Sequence, residues 1–215
     1  MNAVLARSML VVWAVWSATA AQAFPACTEG PHVEARRCTA GLAADLRERL
    51  QQWQRASNWC WAASISMVLQ SHGVAVRQEE VVRAQFGLAL DLGITPEELL
   101  RLVDRTWHDR AGRTLKPTLA LVPASDAGEL PSAQVLEELA AGRPLLVATR
   151  GHVMVLVGVA YEWPAGAAQP RIVEAVVLDP ARGMRTLSTG ERPTFVVRVL
   201  PQQDTAARPW IASAS

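Results

Sequence analysis

The sequence predicts an α+β domain, with helices in its first half and an antiparallel sheet in its second. Three observations carry that expectation. Apolar residues recur at helical spacing in the segments between residues 42 and 141, and two of those segments stop at Gly73 and Gly142. Beyond residue 142 the chain turns to valine-rich runs bounded by Gly and Pro, which read as strands. Half of the 215 residues are hydrophobic, which suffices for a sizeable core and is too much for a disordered chain. With 21 basic and 20 acidic residues, the net charge of +1 provides no field to draw nucleic acid or an anionic membrane.

Residues 1–23 read as a secretory signal. Arg7 supplies the positive charge, Ser8 to Ala20 the apolar run, and Ala21-Gln22-Ala23 a small-x-small cleavage site before Phe24. Its removal takes Arg7 and no acid, so the mature chain is neutral and secreted or periplasmic, with no membrane association. Export permits disulfides. Cys27 and Cys38, 11 positions apart in a polar, small-residue segment, are expected to form one, which leaves Cys60 as a free thiol. Residues 24–50 could also serve as a short pro-segment.

Within a single two-lobed domain over residues 24–200, the helical lobe is expected at 40–141. Leu42, Leu46, Leu50 and Trp53 mark a first helix. Ser57 or Asn58 caps a second, running from Trp59 to Ser71 with an apolar stripe of Trp61, Ile65, Val68 and Leu69. Gln78 to Phe86 is a third. Thr95-Pro96-Glu97-Glu98 is a capping box with Pro at the first helical position, opening a helix to Trp107. Ser132 to Ala141 is the last. The β-rich lobe spans 142–200. Its strands are expected at Pro144–Thr149, His152–Tyr161, Arg171–Leu178 and Thr194–Leu200, with a short one at Met184–Leu187. Residues 201–215 read as a tail.

Four residues form a constellation with chemistry. Cys60 falls in the first turn of its helix, where unpaired N–H groups and the helix dipole favour a thiolate, the nucleophilic form. His152, after Gly151, opens the most apolar strand, and a buried imidazole needs a partner. Asp179-Pro180 ends the next strong strand. If the two strands pair, Asp179 can hold one imidazole nitrogen while the other faces the thiol. Gln54, six residues before Cys60, can donate to an oxyanion together with the Cys60 N–H. His108 is the one rival base, while His72 near a helix end and His32 in the expected disulfide loop carry no such pattern. No cluster has metal-ligand spacing and no Gly-rich phosphate loop is present, so neither metal nor cofactor is expected.

Gln54 followed by Cys60-Trp61-Ala62 resembles the catalytic segment of papain-like cysteine peptidases. Asn58-Trp59-Cys60-Trp61-Ala62-Ala63-Ser64 and Gly151-His152-Val153-Met154-Val155-Leu156-Val157-Gly158 are more similar still to the bacterial C39-like and AvrRpt2-like branch, in which an Asp-Pro follows the Gly-His strand. The resemblance covers roughly residues 50 to 185. Ser57-Asn58-Trp59 stands where plant papains carry Cys-Gly-Ser, and the Cys-to-His spacing of 92 residues is compact. The resemblance implies a papain-like fold, with a helical N-terminal lobe packed on a C-terminal antiparallel sheet and the active site in the cleft between. It implies hydrolysis of a peptide or protein substrate, with Cys60 as nucleophile, His152 as general base and acid, Asp179 as its orienter and Gln54 as oxyanion donor. The same order of Cys, His and acid also suits an amidase or acyl-transfer enzyme acting on cell-wall peptide. A non-catalytic member would keep the fold and bind peptide without turnover.

Overall fold

The computed structural model describes residues 26–29, 35–164, 166–188 and 190–201. The expected signal at residues 1–23, His32, and residues 202–215 of the expected tail lie outside them. Strands β1 (Ala26–Glu29) and β2 (Ala35–Gly41) precede helices α1 (Ala44–Leu50), α2 (Cys60–Ser71), α3 (Gln78–Phe86) and α4 (Pro96–Asp104). Then come β3 (Trp107–His108), β4 (Thr114–Leu115), β5 (Pro117–Pro123) and α5 (Ser132–Ala140). The chain closes with β6 (Leu145–Thr149), β7 (His152–Pro164), β8 (Arg171–Asp179), β9 (Gly183–Thr186) and β10 (Pro193–Pro201). The architecture is α+β, as expected. Among the described residues no helix is long and apolar enough to cross a membrane.

Strand β7 organises an eight-stranded antiparallel sheet. One of its sides pairs with β8 over Val155–Glu162. The other pairs first with β6, over His152–Leu156, and then with β2, over Gly158–Pro164. Gly41 makes that change of partner possible. A Cβ on Gly41 would lie 2.8 Å from the Val157 carbonyl oxygen and 2.9 Å from the Gly158 Cα, so only glycine lets the strands approach there. From β6 the sheet continues through β10 to β5, from β2 to β1, and from β8 to β9. Residues 24–50 are thus partly built into the sheet. Cys27 sits directly across from Cys38 on β1 and β2 and is bonded to it, as the spacing predicted.

The expected helical half, 40–141, also carries strands. β5 pairs with β10 along its whole length, and β3 pairs with β4. Pro117 and Pro123 bracket β5, a composition that disguises a strand in sequence yet is permitted at a sheet edge, where one row of N–H groups is unpaired. Two helices end earlier than their apolar spacing predicts. α1 stops at Leu50 because the next backbone has tertiary partners: Gln52 N–H reaches the Met67 sulfur at 3.3 Å, and the Trp53 carbonyl accepts from Gln78 Nε2 at 2.9 Å. α4 stops at Asp104, after which Trp107 is buried opposite Leu115 and donates its Nε1–H to the Leu102 carbonyl at 3.0 Å. Its start is as predicted: Thr95 Oγ1 and the Glu98 carboxylate exchange hydrogen bonds with each other's backbone N–H, and Pro96 is the first helical residue.

Helix α2 is the centre of the core. Every residue from Trp61 to Leu69 is buried, rather than one stripe, because the helix is enclosed by α3 on one side and β7 on another. Its two buried hydroxyls are satisfied across the core. Ser64 Oγ donates to the Val153 carbonyl at 3.0 Å, and Ser66 Oγ donates to the Val76 carbonyl.

Candidate active site

Cys60 stands at the first position of α2 and is half-buried. Neither expected side-chain cap is used. Trp59 occupies the N-cap, while Asn58 binds Asp91, its N–H reaching Oδ1 at 2.8 Å and its Nδ2 the carbonyl at 3.2 Å. An uncapped helix start leaves first-turn N–H groups to the thiol. Burial pushes the Cys60 thiol up, but hydrogen bonds from His152 and from the backbone of Val153 and Trp61, together with the nearby imidazolium charge, outweigh it and hold the thiol below its usual range. Val153 thereby meets α2 twice, through its N–H at Cys60 and its carbonyl at Ser64 one helical turn further on. That pair of contacts sets the helix against the strand.

His152 begins β7 immediately after a two-residue turn in which Gly151 takes φ +76°, a conformation that favours glycine. β8 runs antiparallel to β7, with Leu178 opposite Val155, so Asp179 arrives at the same sheet end as His152. His152 Nε2 bonds Asp179 Oδ1 at 2.8 Å, which leaves Nδ1 as the ring nitrogen for the thiol. The hydrogen bond with Cys60 raises the imidazole pKa most; burial opposes it, and Asp179 adds to the rise. Cys60, His152 and Asp179, separated by 92 and 27 positions in the chain, therefore form one continuous hydrogen-bonded line.

Two further residues extend it, and no spacing in the sequence marks them. Asp179 is fully buried. Its Oδ1 also accepts from the Ala181 N–H at 2.8 Å, while Oδ2 accepts from Arg185 Nε at 2.8 Å. Burial pushes the Asp179 carboxyl up, but Ala181, His152 and Arg185 reverse the shift and keep it below the usual carboxylate range. The Arg185 guanidinium is in turn gripped by both Glu191 oxygens, at 2.6 and 2.5 Å. Arg185 and, secondarily, Ser188 hold Glu191 down to about 2. The line thus runs from thiol through imidazole to carboxylate, guanidinium and carboxylate, and the shifts at Cys60 and His152 both favour their charged forms. Arg185 lies on the short strand β9 opposite Val177, so only strand pairing brings it to Asp179.

Gln54 also reaches the site. Its backbone N–H donates to the Pro180 carbonyl at 2.9 Å, which ties the loop before α2 to the turn after Asp179. Its side chain lines the cavity at Cys60. The amide Nε2 donates to the Ala56 and Ser57 carbonyls at 3.0 and 2.7 Å, while Oε1 is buried without a partner. An oxyanion would therefore have to replace one of those two carbonyls as acceptor. The loop is held from behind by Gln78 of α3, whose buried amide accepts from Arg55 N–H at 3.1 Å and donates to the Trp53 carbonyl at 2.9 Å, clasping the backbone on both sides of Gln54. The rival base His108 is elsewhere, bonded through Nδ1 to Thr114 Oγ1 at 2.9 Å on the β3–β4 pair, and His72 caps the far end of α2.

The thiol and imidazole open into a cavity of about 860 Å³ between the helical segments and the sheet. Trp61, Ile94, Leu99, Val153 and Phe195 give it apolar walls. Trp59 and Trp61 hold one rim in place, donating their indole N–H groups to the Leu90 and Leu92 carbonyls at 2.8 and 3.1 Å. A free cysteine at a helix start, hydrogen-bonded to a histidine on an antiparallel sheet, is the arrangement of a papain-like cysteine peptidase. The chain belongs to the family of the papain-like cysteine protease AvrRpt2, whose pattern matches residues 42–190, more than half of the chain.

Among solved structures, the chain is similar to the peptidase domain of Streptococcus ComA, a bi-functional ABC transporter involved in a quorum-sensing pathway. The identity is 13% and the TM-score 0.46, with 71% of this chain and 98% of that one covered. It is also similar to a double-glycine-motif protease from an AMS/PCAT transporter in complex with its leader peptide. There the identity is 17% and the TM-score 0.41, with 69% and 89% of the two chains covered. No curated protein matches the chain.

Proposed function

We propose that this peptidase is exported and hydrolyses peptide bonds through Cys60, His152 and Asp179, with Gln54 and the Cys60 N–H receiving the oxyanion. The continuous hydrogen-bonded line from thiol to imidazole to buried carboxylate carries this reading. The Cys60 thiolate adds to the scissile carbonyl carbon, and the carbonyl electrons move to oxygen. As the carbonyl re-forms, the C–N bond breaks and His152 gives its proton to the departing amine. Water then loses a proton to His152 and attacks the thioester, and the acid leaves as the thiol is restored. Asp179 fixes the ring so that Nδ1 faces sulfur throughout. The Cys27–Cys38 bridge supports export, since disulfides persist outside a reducing cytosol.

The test uses the chain secreted from its host, a thiol-alkylating probe and a mixed peptide library. Cys60 labelled ahead of any other residue, cleavage lost in Cys60→Ala, and a mature chain beginning at Phe24 are expected. Cleavage that survives Cys60→Ala overturns the mechanism, and a retained N-terminal segment overturns the export reading.

A further inference from the structure

The charge inside the cavity is one-sided. Arg150 occupies the turn between β6 and β7, directly before Gly151 and His152, and Arg182 occupies the turn between β8 and β9, directly after Asp179-Pro180-Ala181. Both turns lie at the sheet end that carries the imidazole, and both arginines are exposed and line the cavity at Cys60. Neither side chain makes a hydrogen bond or ion pair among the described residues. The carboxylates nearby are already committed. Asp179 is fully buried under His152 and Arg185, and Glu191, which lines the same cavity, is spent on Arg185 and Ser188. A substrate therefore meets two uncompensated guanidinium groups in a chain whose net charge is only +1.

Their position assigns them to one half of the substrate. His152 must protonate the departing amine, so the chain on the C-terminal side of the scissile bond leaves across the wall that His152, Arg150 and Arg182 share. The apolar residues Leu99 and Trp61 belong to the helical wall opposite. We propose that the leaving half of the substrate carries a carboxylate close to the scissile bond, received by Arg150 and Arg182. The guanidinium fork suits a carboxylate, and exposure on the rim keeps the cost of removing water low. The proposal rests on Cys60 and His152 being the catalytic pair, and the carboxylate can be an Asp or Glu side chain or the substrate's own C-terminus.

Digestion of a proteome-derived peptide mixture, followed by sequencing of the new ends, reads this preference. Asp, Glu or a chain terminus should be enriched about fivefold over Asn and Gln in the first few positions after the cleaved bond, a size appropriate to a pair of partly exposed charges. The preference should fall to parity in the Arg150→Gln/Arg182→Gln chain. A mixture amidated at its C-termini separates the two sources: a preference that vanishes there belongs to the chain end, and one that persists belongs to side chains. Parity in the wild type, or a preference that survives both substitutions, overturns the proposal. Binding to the Cys60→Ala chain gives a readout independent of turnover, using labelled Asp/Glu-rich peptides and their Asn/Gln counterparts. The acidic pool should bind more tightly at low salt and lose that advantage when both arginines are replaced, whereas equal binding overturns the proposal. The binding difference together with a wild type that cleaves nothing would count against the catalytic reading alone.

Discussion

Arg185 donates to Asp179 through Nε at 2.8 Å, on the carboxylate oxygen opposite the one that His152 holds. The acid of the proposed triad is therefore shared between an imidazole facing the cavity and a guanidinium behind it. Arg185 is 18% exposed and Asp179 not at all, so the carboxylate is the buried partner of the pair. Replacing Arg185 by Met leaves a buried carboxylate with one unpaired oxygen, and equilibrium denaturation should show a loss of about 3–5 kcal/mol. The pH profile separates positioning from plain instability. Removing a cation behind Asp179 stabilises the imidazolium, so the alkaline limb of kcat/KM should move up, and Arg185→Lys should restore its position in part.

The titration of Cys60 is a second prediction. Its thiol lies below the ordinary 9.0, and His152 lies above the ordinary 6.5. Both shifts favour a thiolate–imidazolium pair, bounded by thiol ionisation at the acid limb and by imidazolium deprotonation at the alkaline limb. Rates of iodoacetamide labelling against pH should give a midpoint below 9.0. In His152→Ala the midpoint should rise, because the strongest opposition to the burial effect has gone and only the Val153 and Trp61 N–H groups remain.

Acid stability should follow Glu191. Its folded pKa of about 2 lies below the ordinary 4.5, so the stability it contributes is complete above 4.5 and is lost as pH falls from there through 2. Asp179 acts in the same direction below its ordinary 3.8. The melting temperature of the wild type should drop across this range, and Glu191→Gln should begin lower at neutral pH and fall less.

Gln54 should matter to turnover more than to substrate affinity. Replacement by Ala removes the proposed oxyanion donor, and a cost in kcat of about 100-fold with KM little changed is expected. Gln78→Ala should reproduce part of that loss at a distance, since its amide holds the backbone on both sides of Gln54. A Gln54→Ala variant with wild-type kcat would remove Gln54 from the mechanism.

The N-terminal bridge is separable from the chemistry. Cys27→Ala with Cys38→Ala opens a loop of 11 positions, worth about 3 kcal/mol in the chain-entropy model. Thermal denaturation should show that loss, while the rate of Cys60 labelling in the folded protein should stay at its wild-type value.

By itself the sequence determined the class of fold, the free thiol and the four candidate residues. Each of these is local: Cys60 and Gln54 share one short segment, His152 follows a turn glycine, Asp179 ends a strand, and two cysteines bracket an N-terminal hairpin. The tertiary structure decided what lies between those local signals. β5 is a strand because β10 pairs with it, despite its prolines, and α1 stops at Leu50 because Met67 and Gln78 offer the next residues better partners than another helical turn. The expected caps Ser57 and Asn58 lost their place to the tie between Asn58 and Asp91, which leaves the start of α2 open to sulfur. Arg185, Glu191 and Gln78 carry no motif at all. They reach the site through strand register and helix packing, long-range contacts between groups that are strangers in the chain, and that is why only the folded molecule brings them beside Asp179 and Gln54.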